Sequence, residues 1–267
     1  MRPHGENPPQ NVVAIIPARY ASTRLPGKML ADVGGKPLIV MTAEKAAAAR
    51  TVTRVIVATD DERIAEAVKF AGFEAVMTSP EHRSGSDRIA EVARNLPNDP
   101  LIVNLQGDEP MIAPTVIDAA VEGLGMADIA TTSEKFYSAE DIVSPDNVKV
   151  VTDEEGQALY FSRSPIPYPR EAVQEYGSLS LAIAMVPGLF ERFRKHSGLY
   201  VYRREFLMRF TASPPGRLEE MEMLEQLRAL EFGALIRVIE VAERSVGIDT
   251  PSDLEKLRQM LGAKYIT

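Results

Sequence analysis

The stretch "VVAIIPARYASTRLPGKML", residues 12–30, decides the fold. Its first part, "VVAIIP" (12–17), is a short and nearly continuous apolar run, the signature of a strand buried on both faces of a sheet. The rest is a loop with Arg19, Arg24 and Lys28 and no acid, in a chain of net charge −8. Pro26 and Gly27 break the chain just before Lys28. A strand running into a cationic loop predicts the opening of a parallel α/β sheet, where ligands bind beyond the carboxyl ends of the strands.

The pattern repeats downstream. An Ala-rich helical segment spans 37–50, with Pro37 suited to its first turn. "RVIVAT" (54–59), "FEAVMT" (73–78) and "PLIVNLQ" (100–106) read as strands. Between them, "DDERIAEAVKFAG" and "SDRIAEVARNL" read as helices, the first with acids in its opening turn and Gly72 as C-cap. This β-α-β-α-β order predicts a mainly parallel twisted sheet with helices on both faces. The order then changes. "NVKVVTDEEGQALYFSR" (147–163) reads as an antiparallel hairpin around an acidic Gly turn, and "SPIPYPR" (164–170) as irregular loop. Residues 171–195 give no clear assignment. "GLYVYR" (198–203) and "LIRVIEV" (235–241) read as strands, and residues 217–233 as one helix ending at Gly233. Thr250, Pro251 and Asp253 form an N-cap, N1 and N3 signature for a last helix.

At 267 residues the chain suits one α/β domain over 12–267 after a polar, Pro-rich tail (1–11), expected to be disordered and without the apolar stretch of a signal peptide. Within that domain, 12–135 is read as the first, parallel part, 136–235 as the part holding the antiparallel hairpin, and 236–267 as the return to the main sheet. No apolar run is long enough for a membrane span, so no membrane insertion is expected. The absence of cysteine excludes disulfides, thiolate metal sites and a Cys nucleophile, and agrees with a cytoplasmic protein. A pI near 5.1 argues against nucleic-acid binding.

An acid-free cationic loop after the first strand can grip a polyphosphate, with arginines forking onto phosphate oxygens and lysine as a mobile charge. A solvated basic loop would have the same composition. In "NLQGDEP" (104–110), Asp108 follows a Gly at a strand end, where it can hold Mg²⁺ or simply make a Gly-Asp turn. In "VGIDTP" (246–251), Asp249 lies between a strand and a capped helix, where helix-dipole complementarity alone would also account for it. Together the cationic loop and the two acids are the parts of metal-assisted phosphoryl or nucleotidyl transfer.

Carried by "IIPARYASTRLPGK", "SGSDRIAE", "VNLQGDEPMI", "NVKVV", "ALYFSRSPIP", "HSGLYVYR", "LEEMEMLEQLRAL" and "GIDTPSDLEKL", the chain resembles the 3-deoxy-manno-octulosonate (KDO) cytidylyltransferases over about residues 12–260. The resemblance implies a glycosyltransferase-A-like fold of the nucleotide-diphospho-sugar transferases. It implies transfer of CMP from CTP to KDO with release of pyrophosphate, a step that activates the sugar for lipopolysaccharide synthesis. By this resemblance Arg19 and Lys28 grip the triphosphate, and Asp108 and Asp249 hold Mg²⁺. Ala18, Ser22, Arg24, Arg88 and Gln106 join Arg19 and Lys28 around the nucleotide. Arg163, His196, Tyr200, Glu225 and Gln226 bind the sugar acid, and the chain works as a homodimer through its antiparallel region. In "SGSDR", Ser86 stands where the family more often has Thr, which keeps the hydroxyl. A sialic-acid type of cytidylyltransferase would share the first loop and the acids, but not "YFSRSPIP" and "EMLEQLR". A non-catalytic nucleotide sensor would not need the whole set.

Overall fold

The computed structural model describes residues 11–21, 25–244 and 246–264. Residues 1–10 of the tail, Ser22 and Arg24 therefore lie outside the described residues. The chain forms two compact units, Met1–Val121 with Leu199–Thr211 and Ser245–Thr267, and Glu122–Gly198 with Ala212–Arg244.

The first unit holds β1 (Val12–Ala18), β2 (Asp32–Val33), β3 (Lys36–Pro37), β4 (Arg54–Thr59), β5 (Glu74–Met77) and β6 (Leu101–Asn104). β1 lies parallel between β4 and β6, and β5 lies parallel to β4. Ala14, Ile15 and Ile16 have no exposed surface, as expected for a strand with sheet on both sides and helices above and below. Residues 200–203 add an antiparallel strand against β6. The intervening helices are Leu38–Ala47, Glu62–Phe70 and Gly85–Arg94, each set by local chemistry. Asp61 caps the second by accepting from Arg63 N, and Ser84 caps the third by accepting from Asp87 N. Pro37 is the cap of the first helix, which begins one residue later than the sequence implies. β2 and β3 make a small separate hairpin not expected from the sequence, with Gly34 and Gly35 at φ +65° and +87° in its turn. Val33, Leu38, Ile248, Leu254 and Leu257 form a small core that seats the helix Pro251–Lys264.

The second unit holds β7 (Ile129–Lys135), β8 (Lys149–Thr152), β9 (Ala158–Ser162), the first half of β10 (Arg194–Arg203) and β11 (Ile236–Glu240). β11 runs parallel to β7, and β8 and β9 form the antiparallel hairpin read from the sequence. The unassigned stretch 171–195 contains helices Arg170–Tyr176 and Leu179–Met185, whose apolar residues pack on Phe136, Ile142, Ala182, Ile183, Leu189 and Phe193. The sheet is thus mixed and mainly parallel, with the fold class expected. Among the described residues no helix is long and apolar enough to cross a membrane.

One expectation fails. Residues 217–233 are two helices, Arg217–Glu222 and Glu225–Glu231, separated by Met223 at φ +53°. The cause is a non-local competition for the carbonyls at the break. Glu222 O and Met223 O accept from the Arg163 guanidinium, and the Glu222 carboxylate takes Ser162 Oγ and Arg163 N.

Candidate active site

In the first unit the loop after β1 folds back on itself. Gly27 N donates to Tyr20 O at 3.2 Å, with Gly27 at φ +70°. A Cβ at Gly27 would come within 3.2 Å of the Tyr20 hydroxyl, so glycine serves the closure of this loop as well as its left-handed turn. Ala18 is buried at the strand end, and Arg19 next to it is exposed. Lys28 then opens a short 3₁₀ turn and is only 6% exposed. Its Nζ lies 2.7 Å from Asp108 Oδ2 and 3.1 Å from Asp249 Oδ1, so two carboxylates far apart in sequence converge on one cation.

Each partner is held by its backbone. Asp108 follows Gly107, whose carbonyl accepts from Thr42 Oγ1 at 2.9 Å. A Cβ on Gly107 would stand 3.1 Å from Pro17 O and from Met29 Sδ, so only glycine lets this turn lie against β1. Gly107→Ala is expected to displace Asp108 and lower kcat by about tenfold or more, measured against melting temperature to separate misplacement from unfolding. Ile248 N donates to Asp108 O at 2.9 Å, tying the second acidic segment to the first. The turn after Asp249 is locked by a reciprocal cap, since Thr250 N and Oγ1 donate to Asp253 Oδ2 while Asp253 N donates to Thr250 Oγ1.

Two carboxylates aimed at one cation are a donor set suited to Mg²⁺, which takes hard oxygens, one or two from protein and the rest from water and phosphate. Among the described residues no group of three or more His, Cys, Asp or Glu is placed to hold a metal. Gln106 is half-buried two residues before Asp108. Arg88 is buried, with its guanidinium on Thr78 Oγ1 at 2.6 Å and Asp60 Oδ2 at 2.8 Å. It ties the helix Gly85–Arg94 to the ends of β4 and β5. Sequence reasoning missed Asp60 and Thr78 in this role, although both sit directly after strands.

In the second unit Arg163 is a bracket. Its Nε donates to Glu222 O at 2.7 Å, Nη1 to Pro145 O at 2.9 Å and Nη2 to Met223 O at 3.3 Å. Lys149 supports it from below, fully buried, with Nζ donating to Ser144 O, Asn147 O and Arg163 O at 2.8, 2.7 and 2.5 Å. Burial, with the nearby Arg163 charge, pushes Lys149 down to about 8. The result is that Glu225 and Gln226 begin a new helix, with Glu225 half-buried and Gln226 buried. Arg163→Lys is expected to lower the melting temperature by several degrees, because the three carbonyls are met by three separate nitrogens of the planar fork, positions that a single ammonium nitrogen does not occupy together. Neither Lys149 nor Glu222 was marked by the sequence, although "NVKVV" carries the lysine.

His196 is buried beside the ring of Phe161, edge to face at 5.0 Å, and its Nε2 lies 2.9 Å from Thr131 Oγ1. Burial, and then the Lys195 ammonium, push its imidazole down to about 3. Folded His196 is therefore neutral, while the unfolded residue takes up a proton below about 6.5. Its contribution to stability is complete above about 6.5 and is lost as pH falls toward 3. The destabilisation caused by His196→Gln is therefore expected to shrink between pH 7.5 and 5.5 in thermal melts. Tyr200 also lies on β10, in register with Asn104 and stacked on Tyr202 at 5.7 Å.

The family model described as cytidylyltransferase matches residues 13–238. The 3-deoxy-manno-octulosonate cytidylyltransferase of Geobacter sulfurreducens is 50% identical over 254 residues, covering 94% of this chain and 99% of that protein. The protein of the same name from Anaeromyxobacter dehalogenans is 49% identical over 256 residues, covering 95% and 99%. A solved structure of CMP:2-keto-3-deoxy-manno-octonic acid synthetase complexed with CTP is 42% identical, with a TM-score of 0.85 over 95% of this chain and 99% of that one. The 4-diphosphocytidyl-2C-methyl-D-erythritol synthase of Anaerococcus prevotii shares the fold, with a TM-score of 0.62 at 13% identity over 96% of this chain and all of that one. At about half identity over nearly the whole length of such relatives, the chain belongs to the cytidylyltransferase family, among the 3-deoxy-manno-octulosonate cytidylyltransferases.

Proposed function

We propose that this chain transfers CMP from CTP to KDO and releases pyrophosphate. The observation that carries the reading is the convergence of Asp108, just beyond the end of β6, and Asp249 on Lys28, in a chain of this family. The reaction brings one anion onto another, and charge builds on the leaving pyrophosphate. Lys28 and Arg19 supply positive charge for the triphosphate, and release of Lys28 from the two acids frees it to turn to phosphate oxygens. Asp108 and Asp249 would hold Mg²⁺, which when bound draws charge from the α-phosphate and lowers the pKa of the attacking sugar hydroxyl. Ala18 and Gln106 border the nucleotide, whereas Ser22 and Arg24, assigned to it by the resemblance, lie outside the described residues. Arg88 acts as a positioning residue, since its guanidinium is engaged by Thr78 and Asp60.

For the sugar acid, the ligands would come from His196, Tyr200, Glu225, Gln226 and Arg163. The neutral His196 offers hydrogen bonding without charge. Arg163 also orients Glu225 and Gln226 by stopping the preceding helix. The chain would act as a homodimer in the cytoplasm and supply activated KDO to lipopolysaccharide synthesis.

The test is pyrophosphate release from CTP, UTP, ATP and GTP, each with KDO or N-acetylneuraminate, with and without Mg²⁺. Release with CTP and KDO that requires Mg²⁺ is expected. No release with that pair overturns the reading, and preference for N-acetylneuraminate moves the chain to sialic-acid activation.

A further inference from the structure

Asn104 closes β6 and is 2% exposed. Its side-chain Oδ1 is buried and has no hydrogen-bond partner among the described residues. Buried amides are nearly always paired, and an orphaned one is costly enough to call for an explanation. Asn104 sits in register with Ile15 of β1 on one side and Tyr200 of β10 on the other. Residues in register share a face of the sheet, and the next residue of β1 on that face is Pro17. Over Pro17 stands the start of the helix Gly85–Arg94, so close that a Cβ on Gly85 would come within 3.3 Å of the proline ring. The orphaned amide thus points to the side roofed by "SGSD", at the carboxyl edge of the parallel strands, two residues before Gln106 and four before Asp108.

We propose that the Asn104 side chain is a substrate-binding residue, whose buried amide is completed by a hydroxyl group of a bound substrate. A hydroxyl both donates and accepts, so it satisfies the amide in either orientation. Two substrates carry hydroxyls, the ribose of CTP and the sugar acid, and the location of Tyr200 directly opposite on β10 is shared by both possibilities. The inference rests on the CTP and KDO reading above.

It is tested by steady-state kinetics of Asn104→Ala and Asn104→Leu, varying CTP and KDO in turn, with melts of the ligand-free proteins. The KM for one substrate is expected to rise about tenfold, the loss of one or two hydrogen bonds. A rise for KDO places the hydroxyl on the sugar acid, and a rise for CTP places it on the ribose. The melting temperature of ligand-free Asn104→Leu is expected to equal or exceed that of wild type, since the amide oxygen removed has no protein partner; a merely structural asparagine would lower it. Both KM values within twofold of wild type, in folded variants of an active enzyme, overturn the inference and leave the function standing. Wild-type protein inert toward CTP and KDO overturns both.

Discussion

Asp108→Ala and Asp249→Ala are each expected to lower kcat by about a thousandfold or more, with a melting temperature close to that of wild type. The magnitude is that of removing a principal electrostatic support from a transition state in which charge shifts onto pyrophosphate. The small effect on stability comes from the surroundings. The Asp108 and Asp249 side chains are 27% and 45% exposed, and Lys28 keeps the other carboxylate in either variant. The backbone bond from Ile248 N to Asp108 O does not involve either side chain and survives both substitutions. Asp→Asn at the same positions separates charge from shape. If either Asn variant turns over like wild type, that carboxylate holds no metal.

Lys28→Met carries the second large effect, and it reads the same site without relying on turnover. In the wild type the Lys28 ammonium sits between the acids at 2.7 and 3.1 Å. Replacing it with an apolar chain of similar length removes the ammonium that the two carboxylates share. The ligand-free variant is expected to be less stable than wild type. Added Mg²⁺ is then expected to raise its melting temperature, and by more than it raises that of wild type, because binding no longer competes with Lys28. Turnover should fall by about a hundredfold or more through loss of a phosphate-facing cation. A melting temperature of Lys28→Met that ignores Mg²⁺ would sink the assignment of this acid pair to a metal. Ca²⁺ and Na⁺ controls distinguish a divalent site from general screening.

What the sequence made legible was local. The unbroken apolar run of β1, the acids that open the helix after β4 and the cap at Thr250 depend on neighbours within a few residues, and their elements appear at or within a residue or two of the expected positions. The segment 217–233 departs from expectation for the opposite reason. Its residues favour a helix throughout, but the carbonyls at 222 and 223 are claimed by Arg163, some sixty positions away. Residues 171–195 lack a clear period because their two short helices bury only part of one face. At the site, residue type and strand-end position singled out Lys28, Asp108 and Asp249, whereas their mutual contact could not be read from spacing. Nor could the burial of Arg88 between Thr78 and Asp60, or the brace that Lys149 forms beneath Arg163, because each depends on how strands are ordered in space.

The bond between Lys28 and Asp249 spans 221 positions of sequence. On a ribosome, β1, its loop and Asp108 emerge long before Asp249 and the helix behind it. A nascent chain can therefore assemble the early strands and the cation without owning a complete acid pair. The last segment, packed through Leu254 and Leu257 onto Val33 and Leu38, arrives as the piece that turns a folded precursor into a competent enzyme. Ending the chain ahead of Asp249 would stop it at that earlier stage, with Lys28 and Asp108 made and the second carboxylate missing.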